Sequence, residues 1–225
     1  MLISQTPRHA APSAKPAATL SGETFGMLIN LSGRRRFTSQ RLVLYAVLAS
    51  QAHDNALATA RETLALFTDA HTALVKGSDI SPGIFCHELE DAYFGRSRGD
   101  EQIRDFISLA GRALDAIEGN MRQAPTLLQE LIAQATPLLA TLNRITQVYE
   151  ELSRRHAQQL KRQLHGIMTD IEAIAKQARM VSFNAQIVAA RAGNSGKEFS
   201  VVASVLSDIT TEIDSLVQAA LNAAV

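Results

Sequence analysis

Apolar residues recur along this chain at helical rather than strand spacing. From Leu42, the positions Ala46, Ala49, His53, Ala56, Ala60, Leu64, Phe67, His71 and Leu74 follow in steps of three and four, which places them on one side of a helix. The pattern predicts a first long helix from about Ser21, whose hydroxyl suits an N-cap, to Lys76, with Gly77 as its stop. Its two histidines read as satisfied core neighbours rather than ligands. Residues 77–99 break the rhythm with Pro82 and four glycines, so a connection is expected there, holding a short helix around 85–93. A second helix is expected over 100–118, carrying Ile103, Phe106, Ala110, Leu114 and Ile117 and ended by Gly119 and Asn120. Pro125 and Pro137 fit either two helix starts or a kink in one continuous helix.

From Leu160 the rhythm tightens. Leu160, Leu164, Ile167, Ile171, Ile174, Ala178, Val181, Ala185, Val188 and Ala192 alternate steps of four and three, a repeat that keeps an apolar seam facing a supercoiled neighbour. After Gly193–Gly196 it resumes as Phe199, Val202, Leu206, Ile209, Ile213, Leu216 and Ala220. Two heptad helices around a short polar turn predict an antiparallel hairpin. Just upstream, Leu152, His156 and Leu160 are separated by two steps of four, a stutter-like slip that locally changes the supercoil. It marks either the boundary of an upstream bundle or a point where motion passes.

Composition narrows the classes. The chain has 225 residues, 46% of them hydrophobic, 5% aromatic and none tryptophan, enough for one respectable core or two small helical modules and too few for a large multidomain enzyme. Lys and Arg total 22 against 22 Asp and Glu, so no global positive field favours nucleic acid. The single cysteine, Cys86, forms no intrachain disulfide and suits a reducing compartment. The apolar run Leu42–Ala49 falls far short of the ~20 residues that a membrane helix needs. Pro7, Arg8, Pro12, Lys15 and Pro16 interrupt the first twenty residues where a signal peptide would be continuously apolar. Those residues read as a flexible tail, and a cytoplasmic protein with no membrane span is expected.

Catalytic chemistry finds little footing. Cys86, His87, Glu88 and Asp91, with His71, are metal-ligand types, but their spacing matches no recognised cage, so the segment reads as an ordinary polar connection with no metal. No phosphate loop, nucleophile elbow or HExxH pattern occurs. Neither an enzyme nor a cofactor is expected.

The segment IEAIAKQARMVSFNAQIVAARAGNSGKEFSVVASVLSDIT, residues 171–210, resembles the signalling tip of methyl-accepting chemotaxis proteins. Ile174, Ala175, Gln177, Asn184, Ala185, Ile187, Ala189 to Gly193, Gly196, Phe199 and Val201 to Ala203 carry the resemblance. It implies a homodimeric four-helix coiled coil whose tip touches a coupling protein and a histidine kinase. Phe183, Asn184, Val188, Arg191 and Asn194 are the partner-binding candidates. The departures are chemical: Val188 stands where the family has a glutamate, Asn194 replaces the turn glutamate, and Ala178 and Arg179 replace a Thr-Asn pair. Only about thirty residues follow the turn, ~45 Å of helix, without a paired Glu/Gln methylation site.

A second stretch, INLSGRRRFTSQRL from Ile29, resembles the opening helix of the type IV pilus chemotaxis-receptor sensor domain, related to nitrate and nitrite sensors. Asn30, Gly33, Arg34, Arg36, Ser39, Gln40 and Arg41 match, while Arg35, Phe37 and Thr38 depart from the pattern. The resemblance implies a small planar oxyanion as ligand, which arginines can hold by forked hydrogen bonds. Its candidate ligands are Asn30, Arg34, Arg36, Ser39, Gln40 and Arg41.

The expected fold is therefore all-α: an elongated helical bundle with an antiparallel coiled-coil hairpin, completed by dimerisation. The expected organisation is a tail over 1–20, a sensor-like bundle over 21–144 and a chemoreceptor-like hairpin over 145–225, turning at 193–196. The function expected of it is signal relay through helix packing to a coupling protein and kinase. A scaffold with a degenerate tip and a cytoplasmic small-anion sensor are the alternatives.

Overall fold

A computed structural model describes residues 20–79 and 81–223; all but the last residue of the expected tail lies outside them. Among the described residues the chain is all-α. Its helices are α1 (Gly22–Ser50), α2 (Ala56–Lys76), α3 (His87–Phe94), α4 (Gly99–Glu118), α5 (Ala124–Arg191) and α6 (Lys197–Ala223). The chain divides into two compact units between Arg155 and His156, and α5 contributes to both.

Ser21 caps α1 as its hydroxyl suggests, accepting the Thr24 N–H at 3.1 Å. The single helix expected over 21–76 is instead two. The chain breaks at the polar run 51–55, where Ala52 and Asn55 both take left-handed backbone (φ 59°), and α2 folds back along α1. The physical reason is burial. Leu42 and Ala46 on α1, and Ala60, Phe67 and Leu74 on α2, all become fully buried, and each large side chain so removed from water contributes about 1.5–3 kcal/mol. His53, expected on the buried stripe, sits exposed in the turn.

The 77–99 connection folds against the bundle. Gly83, at φ +73°, lies so close to the end of α2 that a Cβ there would stand 2.8 Å from the Gly77 nitrogen. Phe85 meets Phe25 edge-on at 6.1 Å, and α3 follows close to the expected short helix. On α4, Phe106 packs against Phe67 of α2 at 5.7 Å. Of the two readings for the prolines, the continuous helix is the one observed: Pro137 lies inside α5. Leu131, Leu138, Leu142, Ile145, Tyr149 and Leu152 turn one face of α5 into the core of the first unit.

In the second unit α5 and α6 form a long antiparallel pair joined by a 3₁₀ turn at Gly193–Gly196. Ser182 donates to the Ala203 carbonyl, while Arg179 reaches the Thr210 carbonyl at 3.3 Å and the Asp214 carboxylate. The buried positions recur every seven residues: Ala175, Ser182 and Ala189 on α5, and Ala203, Thr210 and Val217 on α6. At the closed end a Cβ on Gly196 would fall 2.1 Å from the Ala189 carbonyl oxygen, so only glycine permits that approach.

Within one chain α6 packs one helical position away from the expected seam. Ile174, Val181 and Val188 remain 65%, 62% and 59% exposed, and α6 covers the neighbouring stripe of small residues instead. Small side chains win that position because they let two backbones approach closely, and the branched residues beside them are left at the surface.

Candidate functional site

The first unit buries a polar cluster in its core. Along α1 the buried residues Phe25, Leu28, Ser32, Arg35, Ser39, Leu42 and Ala46 are separated alternately by three and four, with Thr38 buried beside them. Arg35 is therefore carried inward with the apolar stripe and is completely buried. A buried guanidinium must find partners or cost several kcal/mol. It finds them on three helices: Nη2 donates to Ser32 Oγ at 3.2 Å and to the Tyr93 hydroxyl at 3.0 Å, and Nη1 lies 3.2 Å from His71 Nδ1. Its Cζ also stands 5.6 Å from the centre of the Tyr93 ring, within cation–π range. Its Nε remains buried with no partner.

His71 connects this cation to an anion. Burial, reinforced by the positive Arg35 and opposed by Asp100, holds its pKa down to about 4. The ring is then neutral at pH 7, which settles its tautomer: Nδ1 accepts from Arg35, and Nε2–H donates to Asp100 Oδ1 at 3.0 Å. Arg104 binds the other Asp100 oxygen at 2.7 Å.

A second branch leads to α5. Thr146 Oγ1 donates to the Leu142 carbonyl at 2.8 Å, so the 2.9 Å contact between Ser32 Oγ and Thr146 Oγ1 takes its proton from Ser32. The donors thus run in one direction, from Arg35 through Ser32 and Thr146 to the α5 backbone. The Tyr93 hydroxyl is 3.4 Å from that of Tyr149, whose ionisation burial pushes well above the ordinary phenol range.

The six α1 residues singled out as oxyanion ligands are not brought to one place. Arg36 turns to α5 and donates to Asn143 Oδ1 at 3.2 Å. Ser39 is buried and donates to the Arg36 carbonyl at 2.9 Å. Asn30, Arg34 and Gln40 face outward, and Arg41 lies over the Tyr45 ring at 5.5 Å. Arg35, passed over as a departure from the motif, holds the centre of the cluster. Its alternating spacing with Phe25, Leu28, Ser32 and Leu42 was the signal in the sequence.

Cys86 caps α3, and burial pushes its thiol pKa up, which makes it a poor nucleophile. Glu88 is held ionised by its own backbone N–H and by Arg155, 2.9 Å away. Among the described residues no group of three or more His, Cys, Asp and Glu stands together to hold a metal. No helix among them is long and apolar enough to cross a membrane.

At the tip of the second unit Phe183, Asn184, Val188, Arg191 and Asn194 are all exposed. These residues are presented by a long antiparallel helix pair with a small-residue seam, a helical hairpin domain. The family model of the methyl-accepting chemotaxis protein signalling domain matches residues 140–225, and that domain is present here. It is a non-catalytic domain. The matched region excludes residues 1–139, and with them the arginine motif of α1. No curated protein and no solved structure matches the chain.

Proposed function

We propose that this protein is a chemoreceptor-like signal transducer: a cytoplasmic homodimer in which changes of helix packing in the first unit pass along α5 to the hairpin, and from there to a coupling protein and a histidine kinase. The observation that carries this reading is the double use of α5. One stretch of it, from Leu131 to Leu152, is built into the core of the first unit, and the same unbroken helix forms half of the signalling hairpin. A continuous helix shared in this way is a route by which a change of packing in the core reaches the hairpin.

Two further features support the reading. The exposed stripe of Ile167, Ile174, Val181 and Val188, with Phe199, Val202, Ile209 and Leu216 on α6, exceeds what a monomeric hairpin ordinarily leaves in water. A second copy of the hairpin would cover it in a four-helix arrangement. Toward the tip, exposed Phe183 and an exposed Arg191 guanidinium lie on the same helix, and both residue types are enriched in protein interfaces.

Light scattering of the whole chain, with coupling protein and kinase added in turn, tests the proposal. The expected result is a dimer that gains mass with one of them and loses that gain on Arg191→Ala. A dimer that ignores both overturns the kinase role and leaves a scaffold that keeps the hairpin for assembly.

A further inference from the structure

The polar cluster does not end at Asp100. Beside it, between α2 and α4, lies a cleft of about 500 Å³ whose floor is formed by His71 and Asp100. Its chemistry is two-sided. Val75, Phe94 and Ile107 supply an apolar wall, and Phe94 is 54% exposed although it is a large aromatic. Lys76 and Arg104 supply two cations at the same cleft. Arg104 is held by Asp100, whereas Lys76 has no ion-pair partner among the described residues.

We propose that this cleft binds a small amphipathic carboxylate, its aromatic or branched body against Val75, Phe94 and Ile107 and its carboxylate between Lys76 and Arg104. Charge decides the class. Asp100 is paired with Arg104 and accepts from the neutral His71, so the net charge at the cleft is the positive charge of Lys76. The ammonium of Lys76 and the remaining donors of the Arg104 guanidinium are open to an anion. Thr72 and Ser108 at the same cleft add hydroxyl donors for a second oxygen.

The site also has a way to report its occupancy. A carboxylate on Arg104 competes with Asp100 for the same guanidinium. Asp100 in turn positions His71, His71 positions Arg35, and Arg35 donates through Ser32 to Thr146 on α5. That consequence rests on the proposed role of α5 as the signalling helix; binding itself does not.

Calorimetric titration of the full chain with benzoate, benzamide, benzylamine and acetate tests the site. Benzoate is expected to bind saturably, with each of the other three weaker by about tenfold or more, and Lys76→Glu is expected to abolish benzoate binding while lowering the melting temperature by only about a few degrees, the cost of a reversed charge in the last turn of α2. Three outcomes overturn the proposal: no saturable heat with benzoate, acetate binding as tightly as benzoate, or benzoate affinity indifferent to Lys76→Glu. Hydrogen exchange over residues 140–152 tests the relay. Bound benzoate is expected to change it, and an unchanged pattern overturns the relay while leaving the site. Failure of the signalling role appears instead in light scattering with coupling protein and kinase, which benzoate binding does not enter.

Discussion

The two units put their polar and apolar residues in opposite places. In the first, Arg35, His71 and Asp100 lie in the core, each supplied with partners by neighbouring helices. In the second, the centre is a stripe of alanine, serine and threonine closed by Val217, and most of the large apolar side chains lie at the surface. The contrast shows two ways of using a helix bundle. The first unit satisfies its buried polar groups within one chain, so its packing depends on a hydrogen-bonded cluster that must be made as a whole. The second leaves large apolar side chains such as Ile174, Val181 and Leu216 in water.

The contrast breaks most sharply at Arg35. Replacing it with Ala leaves His71 Nδ1 without its donor and empties a large side-chain volume in the core, and is expected to destabilise the first unit by about 2–5 kcal/mol. Chemical denaturation followed by hydrogen exchange should show that loss in residues 22–155 while the hairpin 156–223 keeps its own protection. Equal loss in both units would mean that they do not behave as separate cooperative bodies.

Acid attacks the same cluster from another side. His71 has a pKa of about 4 in the fold against roughly 6.5 unfolded, so the unfolded chain binds the proton more readily between those values. The stability that His71 contributes is complete above about pH 6.5 and is lost as pH falls through 4, on the order of 3 kcal/mol in all. The groups that set this are Arg35, Asp100 and Arg104, with Tyr93 against the ring. Urea unfolding of the native chain and of His71→Gln at pH 7.5 and pH 4 separates this contribution from that of the surface carboxylates. The variant should show a shallower dependence on pH.

A smaller effect is expected at the hairpin's closed end. Gly196→Ala forces a methyl against the Ala189 backbone, and relief by backbone movement costs about 1–3 kcal/mol. Faster hydrogen exchange confined to residues 189–203 is the expected readout, and the first unit should not respond. The mildest test concerns the exposed stripe. Ile174→Asp with Val181→Asp should weaken self-association about tenfold, near 1.4 kcal/mol, without altering the melting of the first unit. An unchanged dimer would move self-association away from that stripe.

Legibility differed between elements for physical reasons. Helix α4 was readable almost to the residue because an amphipathic rhythm, a terminal glycine and a following asparagine coincide over Gly99–Asn120. The hairpin turn was readable because glycines bracket a short polar segment. The break between α1 and α2 was not. It contains neither glycine nor proline, and the apolar steps pass through His53 and Ala56 in phase, so nothing local distinguishes a long helix from two folded together. Of the polar cluster, His71 was placed correctly in the core, whereas Arg35 was assigned to motif mismatch because arginine is rarely buried whole.

What the linear order determined by itself was helical content, the hairpin and its turn, and the family of the second unit, because these depend on residues near one another in the chain. Tertiary structure decided which face of each helix was covered. It joined residues 32, 35, 71, 100 and 146, from four helices, in one hydrogen-bonded chain, and it turned α6 toward alanines rather than toward isoleucine and valine. Both decisions turn on contacts between distant segments, where backbone approach and the satisfaction of buried charge outweigh any local preference.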